Sequence, residues 1–198
     1  MPDVNSPEFW EKLYKLGGDF WDLGGSTSVF KRLLESDQIK PGSMIVLGAG
    51  RGYDARMFAR HGFEVTAVDF AEEVVDEMRA RSDPEAPIEI IHSDFFDLPD
   101  KCDGKFDYVL EYTCYCAIDP GRRAEYADLV KCLLKPGGMI IALLFPVSNH
   151  EGGPPFAVQP DEFVSMFSER GFDLTHREIP SDSVSQRQGI EELLIFQM

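Results

Sequence analysis

The chain has 198 residues, 43% of them apolar and 27% charged, which predicts a globular protein with one sizeable core rather than a disordered segment. The formal net charge is −16 and the basic residues form no stripe, so we expect no nucleic acid partner. No apolar run is long enough to span a bilayer and the N-terminus carries no secretion signal, so we expect a cytoplasmic protein with no membrane partner.

The first half of the chain alternates predicted helices and strands. Ser6-Pro7 suits a helix start, because Ser is a good cap and Pro fits the first helical position, and Gly17-Gly18 ends that helix. The following elements are predicted as a helix at 27–35, a strand at 44–47, a helix at 54–61, a strand at 64–68, a helix at 71–79 and a strand at 88–91.

The second half continues the alternation. Its predicted elements are a strand at 106–110, a helix from Asp119-Pro120 to near Leu134, a turn at 135–138, a central strand at 139–145, a helix at 160–170 and two strands at 172–178 and 190–197. This pattern predicts an α/β fold: a single Rossmann-like domain over 1–198, with a mostly parallel seven-stranded sheet, an antiparallel last strand and helices on both faces.

A glycine-rich loop follows the first predicted strand and opens a helix, in the order Gly48-Ala49-Gly50-Arg51-Gly52. Glycines let the backbone turn sharply and approach a ligand closely. A dinucleotide site would require a further glycine at position 53, which is Tyr53. The GxGxG spacing is instead common in enzymes that use S-adenosylmethionine, although a purely structural turn is the alternative.

Two acids lie at the ends of the next two predicted strands. Asp69 is placed where a carboxylate accepts hydrogen bonds from ribose hydroxyls, and its alternative role is an N-cap for the helix from Ala71. Asp94 is placed to accept from an adenine amino group while Phe95 lies against the ring; the alternative is a turn Asp beside a core Phe. Carboxyl ends of neighbouring strands are where open α/β sheets bind ligands.

Further motifs make the resemblance specific. They are Trp10-x3-Tyr14-x6-Trp21-Asp22, the glycine loop with Val46-Leu47 before it, Phe106-Asp107-Tyr108-Val109 leading to Cys116-Ala117-Ile118-Asp119-Pro120, and the stretch Phe145 to Pro155. With these, nearly the whole chain resembles class I methyltransferases of the thiopurine S-methyltransferase family, and most closely its halide and thiol methyltransferase branch.

The resemblance implies S-adenosylmethionine as cofactor, S-adenosylhomocysteine as product, and residues 1–40 as a helical cover over the site. It implies that Glu111, just past the fourth strand, lies near the methionine end of the cofactor. Adding the glycine loop and the strand-end residues, the predicted cofactor site comprises Trp10, Tyr14, Trp21, Gly48, Gly50, Asp69, Phe70, Asp94, Phe95 and Glu111.

Three positions depart from what the resemblance leads us to expect. Val46 stands where most class I enzymes carry an acid, although the halide branch is similarly apolar there. Tyr14 replaces a tryptophan common in that branch, and Tyr112 stands where thiopurine enzymes look to have an arginine. The last difference favours small acceptors over drug-like thiopurines.

The predicted acceptor is a small soft nucleophile: a thiol, a thiopurine-like compound or a halide. A thiol is partly ionised near neutral pH and a halide carries no proton, so little general base is needed. Tyr112, Tyr115 and His150 are the candidates for proton handling on the acceptor side, with packed aromatic or solvated loop roles as alternatives. Arg122-Arg123 are expected to face water.

Four cysteines are present and none forms a CxxC pair, which predicts reduced thiols and no metal site; Cys114 and Cys116 are expected on one face of a strand. The acidic surface favours a monomer. Two functions of other classes stay open, a nicotinamide-linked oxidoreductase and a non-catalytic nucleoside-binding module.

Overall fold

The computed structural model describes residues 3–36, 38–98 and 102–198, and it divides into two compact units after Leu98. The first unit holds two N-terminal helices and then three alternating strands and helices. Its elements are α1 (Pro7–Lys15), α2 (Ser28–Glu35), β1 (Ser43–Leu47), α3 (Tyr53–Arg60), β2 (Glu64–Asp69), α4 (Glu72–Ala80), β3 (Glu89–His92) and a 3-10 turn at Phe95–Asp97.

The three strands of the first unit are parallel, in the order β3-β2-β1. Leu47 lies opposite Val68 and Asp69 lies opposite His92, so the carboxyl ends of the strands meet at one edge. Nearly every position of β1 and β2 is buried rather than every second one, as expected for a sheet covered on both faces.

The second unit carries the remaining four strands. Its elements are β4 (Phe106–Tyr112), a 3-10 turn (Pro120–Arg122), α5 (Arg123–Leu133), β5 (Leu134–Leu144), α6 (Pro160–Ser168), β6 (Asp173–Glu178) and β7 (Glu192–Gln197). β4 and β5 are parallel, whereas β7 runs antiparallel to both β5 and β6. Phe163, Phe167 and Phe196 pack with ring centroids 4.5–5.9 Å apart in the core of this unit.

The α/β class, the seven strands, the mostly parallel pairing and the antiparallel last strand are confirmed. Two local predictions were wrong. Lys135-Pro136-Gly137-Gly138 lies within β5 rather than in a turn, because the C-terminus pairs with it: the Met198 N–H donates to the Gly138 carbonyl at 2.9 Å. The helix predicted to start at Asp119-Pro120 is present: Asp119 caps a 3-10 turn at Pro120–Arg122, which continues directly into α5 at Arg123.

The second wrong prediction concerns Cys114 and Cys116, which lie in a turn after β4 and not on a strand. The N–H groups of Ala117 and Ile118 both donate to the Cys114 carbonyl, at 2.8 and 3.2 Å, and so the chain turns back there. All four cysteines are thiols in the structure, Cys132 exposed and the others buried. Within the described residues, no helix is long and apolar enough to cross a membrane.

Candidate functional site

The glycine loop of the first unit is held against Asp69 by backbone hydrogen bonds. The Gly50 N–H donates to one carboxylate oxygen of Asp69 at 2.8 Å, and the Ala71 N–H donates to the other at 3.0 Å. Gly48 and Gly50 have φ values of 60° and 53°, in the left-handed region that a side chain disfavours. The structure thus brings together the loop and the acid that the sequence predicted as neighbours.

Asp69 is almost fully buried, with 6% of its surface exposed. Burial raises its pKa, while the N–H donors from Ala71 and Gly50 act in the opposite direction. The proposed N-cap role is realised in part, since the carboxylate accepts from the Ala71 N–H directly before α4. Each carboxylate oxygen has a second lone pair, so these bonds leave capacity for hydroxyl donors of a ligand.

Asp94 begins the 3-10 turn after β3, and its carboxylate accepts from the Phe96 N–H at 2.9 Å. The turn role that was the alternative is therefore present. Phe95 and Phe96 are half-buried, with their ring centroids 4.7 Å apart. Phe70 is also half-buried, directly after Asp69, and its carbonyl lies 3.1 Å from the His92 ring nitrogen Nε2. These residues lie at the carboxyl ends of β2 and β3, as predicted.

An aromatic cluster of Trp10, Tyr14 and Trp21 belongs to the same unit. Trp21 meets both other rings edge-to-face, with centroids 5.5 Å apart in each case. The Trp10 indole N–H donates to the Val4 carbonyl at 2.9 Å, which fixes its orientation. A Cβ placed on Gly50 would lie 3.6 Å from the Tyr14 hydroxyl, so this cluster reaches the glycine loop.

Arg51, the fourth residue of the glycine loop, ties the aromatic cluster to that loop. Its guanidinium group pairs with the carboxylates of Asp19 and Asp22, on either side of Trp21, and with Glu77 of α4 at 3.1 Å. It also lies 5.3 Å from the centre of the Tyr14 ring. Burial lowers the Arg51 pKa, but the bonds to these acids outweigh it and the net direction is upward. We call this group the Arg51 clasp.

Glu111 lies inside β4 and not just past it, one residue before the strand ends at Tyr112. Its carboxylate accepts from the N–H groups of Cys114 and Tyr115, at 3.2 and 2.7 Å, and from the Tyr126 hydroxyl at 2.7 Å. Only 1% of its surface is exposed, and this burial raises its pKa to about 7.

Tyr112, which is half-buried, forms a polar triad with the buried residues Arg187 and Glu191. Its hydroxyl donates to Glu191 Oε1 at 2.7 Å and accepts from Arg187 Nη1. The Arg187 guanidinium lies 4.2 Å from the centre of the Phe145 ring and 3.5 Å from the Glu191 carboxylate. Arg187 and Glu191 are 3% and 2% exposed, so the charges neutralise each other away from water.

The two other predicted acceptor-side residues are also engaged. Burial raises the Tyr115 pKa to about 12, and its ring lies 4.5 Å from the Arg123 guanidinium. His150 is exposed; its Nε2 donates to the Pro155 carbonyl at 2.9 Å and its Nδ1 lies 2.7 Å from the Ser148 hydroxyl. The prediction that Arg123 faces water is wrong. Arg123 is 9% exposed, because its guanidinium packs on the Tyr115 ring and donates to the Ala157 carbonyl.

A sequence model of the thiopurine S-methyltransferase family matches residues 5–194 of the chain. The chain belongs to the thiopurine S-methyltransferase family. It is 33% identical over 192 residues to the probable thiol methyltransferase 2 of Arabidopsis thaliana, covering 96% of this chain and 84% of that protein. It is 30% identical over 196 residues to thiocyanate methyltransferase 1 of Brassica oleracea, covering 98% and 86%.

The thiopurine S-methyltransferase of Rattus norvegicus is 28% identical over 139 residues, covering 60% of this chain and 58% of that protein. Among solved structures, the 1,6-didemethyltoxoflavin-N1-methyltransferase of Burkholderia thailandensis, with 1,6-didemethyltoxoflavin and S-adenosylhomocysteine bound, superposes with a TM-score of 0.74. That match has 18% identity, covers 96% of this chain and 86% of that one, and shows the fold. The predicted Rossmann-like fold, the family and the methyltransferase hypothesis are confirmed.

Several polar residues of this family member were not predicted from its sequence. They are Asp19, Asp22, Arg51 and Glu77 in the first unit and Tyr126, Arg187 and Glu191 in the second. Arg51 lies within the glycine-rich loop and Asp22 directly follows Trp21 of the aromatic motif, and these positions were the available signal. Arg187 carries no such signal, because its partner Tyr112 is 75 positions away along the chain. Within the described residues, no group of three or more His, Cys, Asp or Glu is arranged to hold a metal ion.

Proposed function

We propose that this protein transfers a methyl group from S-adenosylmethionine to a small soft anion of the thiolate or thiocyanate type. The observation that carries the proposal is the similarity over nearly the whole chain to proteins named thiol and thiocyanate methyltransferases. The local geometry of the two units supports it. We assign nucleoside binding to the first unit and the acceptor-side groups to the second.

The first unit fits the nucleoside of the donor. The turn at Gly48 and Gly50 exposes backbone without a Cβ in the way, and the Asp69 carboxylate is fixed at the end of β2. Asp69 would bind the ribose hydroxyls, with Phe70, Asp94 and Phe95 around the base. When bound, S-adenosylmethionine supplies an electrophilic methyl group on a sulfonium sulfur.

The aromatic cluster of Trp10, Tyr14 and Trp21 would act as a cover that keeps water away from this site. Excluding water strengthens electrostatic interactions and removes part of the hydration shell of an anionic nucleophile. The Arg51 clasp supports this role, because it anchors both flanks of Trp21 to the glycine loop. Residues 1–40 would thus form the helical cover of a single methyltransferase domain.

The acceptor-side residues support a nucleophile that needs no proton removed. The Tyr112 hydroxyl is held between Arg187 and Glu191, and Tyr115, whose pKa burial raises to about 12, is a poorer base precursor than an ordinary tyrosine. The ring nitrogens of His150 are engaged in its own loop. Glu111, with three donors on its carboxylate, would orient the cofactor rather than move a proton. Thiocyanate, halides and ionised thiols need no general base.

A labelled-methyl assay tests the proposal. We expect S-adenosylhomocysteine and a methylated product with thiocyanate, iodide, bisulfide or an aromatic thiol, and no turnover with amines and alcohols of similar size. Two results would overturn the proposal. One is turnover of amines or alcohols but of none of these anions and thiols; the other is no turnover of any acceptor by protein that binds S-adenosylhomocysteine in calorimetry.

We also propose that the protein is a cytoplasmic monomer that uses no nucleic acid. Its four cysteines are thiols, as in a reducing compartment, and its net charge of −16 opposes both self-association and phosphate backbones. Sedimentation velocity at physiological salt, where a dimer would contradict the proposal, tests the oligomeric state.

A further inference from the structure

A cationic groove lies in the first unit, outside the residues assigned to the cofactor. The groove is an open cavity of about 450 Å³, and its lining comes from α3 and from the segment that holds α2. Three of the lining side chains are basic, one is histidine and none is acidic. The lining residues are Ser26, Lys31, Tyr53, Arg56, Met57, Arg60 and His61.

The helical repeat explains why the groove is cationic. Positions 53, 56, 57 and 60 are spaced by three and four residues, so they fall on one face of α3, and His61 follows at its C-terminus. Lys31 of α2 adds a further positive charge to the same lining. Such a concentration of positive charge is unusual for a chain whose net charge is −16.

Arg56 is the most buried cation of the lining, with 8% of its surface exposed. None of the described residues accepts a hydrogen bond from its Nη1, which lies on the side of Gly52, where a Cβ would stand 3.1 Å from it. Its guanidinium lies 5.5 Å from the centre of the Tyr53 ring, a contact that offsets only part of the cost of burying a charge. The nearby carboxylate of Glu77 is already paired with Arg51 and Arg81.

The other cations leave room for a ligand. Arg60 uses Nε for Asp83 at 3.0 Å and is 60% exposed, so its terminal nitrogens face outward. His61 donates from Nδ1 to the Met57 carbonyl at 2.8 Å, so the Nε2 of its neutral ring is an acceptor and we do not count it among the donors to an anion. Within the described part of the chain, the Lys31 ammonium makes no ion pair, and the hydroxyls of Ser26 and Tyr53 add neutral donors.

We propose that this α2–α3 groove binds an oxyanion of the phosphate class, as inorganic phosphate or on a small phosphorylated molecule. The fork of an arginine side chain matches the geometry of phosphate oxygens, and a lysine adds a point charge. The cavity is larger than one phosphate group, which leaves space for an organic substituent. The ligand would be separate from the methyl donor and the acceptor, and its binding would be a second property of this fold.

The test is thermal unfolding and calorimetry of the full chain with inorganic phosphate, pyrophosphate and glucose 6-phosphate, with ionic strength held constant by NaCl. We expect saturable binding of at least one probe and a rise in Tm of roughly 2–4 °C at several times Kd. A stronger response to inorganic phosphate or pyrophosphate than to glucose 6-phosphate would identify the free anion as the ligand, and the reverse order would identify a phosphorylated molecule. No saturable binding of any of the three overturns the proposal.

The double variant Lys31→Gln/Arg60→Gln should weaken binding by about tenfold or more, since it removes two charge-assisted contacts. The matched control is Lys15→Gln/Arg79→Gln, which removes two exposed positive charges outside the groove and should leave binding unchanged. Equal weakening in both double variants would mean that bulk charge, not this groove, attracts the anion, and would overturn the proposal.

Arg56→Met gives an independent measurement. It removes the buried charge, so the Tm rise on adding phosphate should disappear while the Tm without phosphate is kept. If it does not fold, the Lys31/Arg60 double variant still decides the matter. A phosphate-sensitive dimer that Lys31→Gln/Arg60→Gln converts to monomer would assign the groove to the acidic surface of a second copy, and would also overturn the proposal.

Discussion

The carboxylates at the ends of β2 in the first unit and β4 in the second are satisfied in different ways. Asp69 in the first unit accepts from backbone N–H groups, among them those of Gly50 and Ala71. Glu111 and Glu191 in the second unit depend on side chains as well, namely the hydroxyls of Tyr126 and Tyr112. Backbone donors are placed by local loop conformation, whereas hydroxyl donors are placed by packing between distant segments.

This difference predicts different effects of substitutions at the two sites. A carboxylate that is held by main-chain donors, such as that of Asp69, depends on the glycine positions and tolerates changes in the surrounding side chains. A network of side chains is sensitive to each member, because removing one leaves a buried group without a partner. We therefore expect changes in the first unit to act on cofactor affinity and changes in the second unit to act first on stability.

The largest expected effect concerns Glu111. Its pKa is raised to about 7 in the folded protein, so the folded state holds its proton more tightly than the unfolded chain. Its contribution to stability is therefore complete below about pH 4.5 and is lost as the pH rises through 7, by about 3 kcal/mol in total. In Glu111→Gln the unfolding free energy measured in urea at pH 5, 6 and 7 should fall much less with pH, leaving the slope of other buried acids such as Asp54, whose pKa burial raises to about 6.

The exposed control Glu169→Gln should keep the wild-type pH profile. If the unfolding free energies of wild type and Glu111→Gln changed with pH in parallel over this range, the buried carboxylate would be ionised throughout. The contrast between Glu111 and Asp69 would then be wrong.

Next in size is Asp69→Ala, which removes the acceptor at the end of β2. We expect S-adenosylhomocysteine binding to weaken by about 1–3 kcal/mol, the value of a charge-assisted hydrogen bond, which is roughly 5–150-fold in Kd. Calorimetry measures it, with circular dichroism to verify the fold. Asp76→Ala, an exposed acid on α4, is the control, and an unchanged Kd in folded Asp69→Ala would remove this residue from the site.

A smaller effect is expected from Arg51→Gln, which opens the Arg51 clasp. Partly exposed ion pairs contribute up to about 1 kcal/mol, so we expect KM for S-adenosylmethionine to rise about fivefold with little change in kcat. Acrylamide should quench the tryptophan fluorescence more strongly, because Trp21 loses the ion pairs that anchor both of its flanks. Arg79→Gln should change neither property, and equal quenching in wild type and Arg51→Gln would show that the clasp does not hold the cover.

The smallest effect is expected from His150→Ala. The ring bonds Ser148 and Pro155 within an exposed loop, so kcat with thiocyanate should change by less than about twofold, well under the 10²–10⁴ typical of a general base. A loss of 100-fold or more, with Tm unchanged, would assign His150 a catalytic role and contradict the base-free chemistry proposed for the acceptor side.

The sequence alone determined the features whose causes are local. Strands and helices followed from apolar periodicity and from glycine and proline positions, and the loop at Gly48 with Asp69 after β2 followed from spacing and family likeness. Their boundaries differ from the structure by a few residues at most, except at 135–138, where pairing with the C-terminus extends β5 over glycines that would otherwise make a turn.

Only the tertiary structure decided the partners of the charged residues. Arg51 meets Asp19 over 32 positions of sequence and Arg187 meets Tyr112 over 75, and Arg123 is buried on Tyr115 although its neighbour Arg122 pairs at the surface with Glu125. A charge carries no periodic pattern that indicates its partner, because many oppositely charged residues are available and packing selects among them. Apolar periodicity is repeated over many residues, and so it can be read from the sequence without knowing the fold.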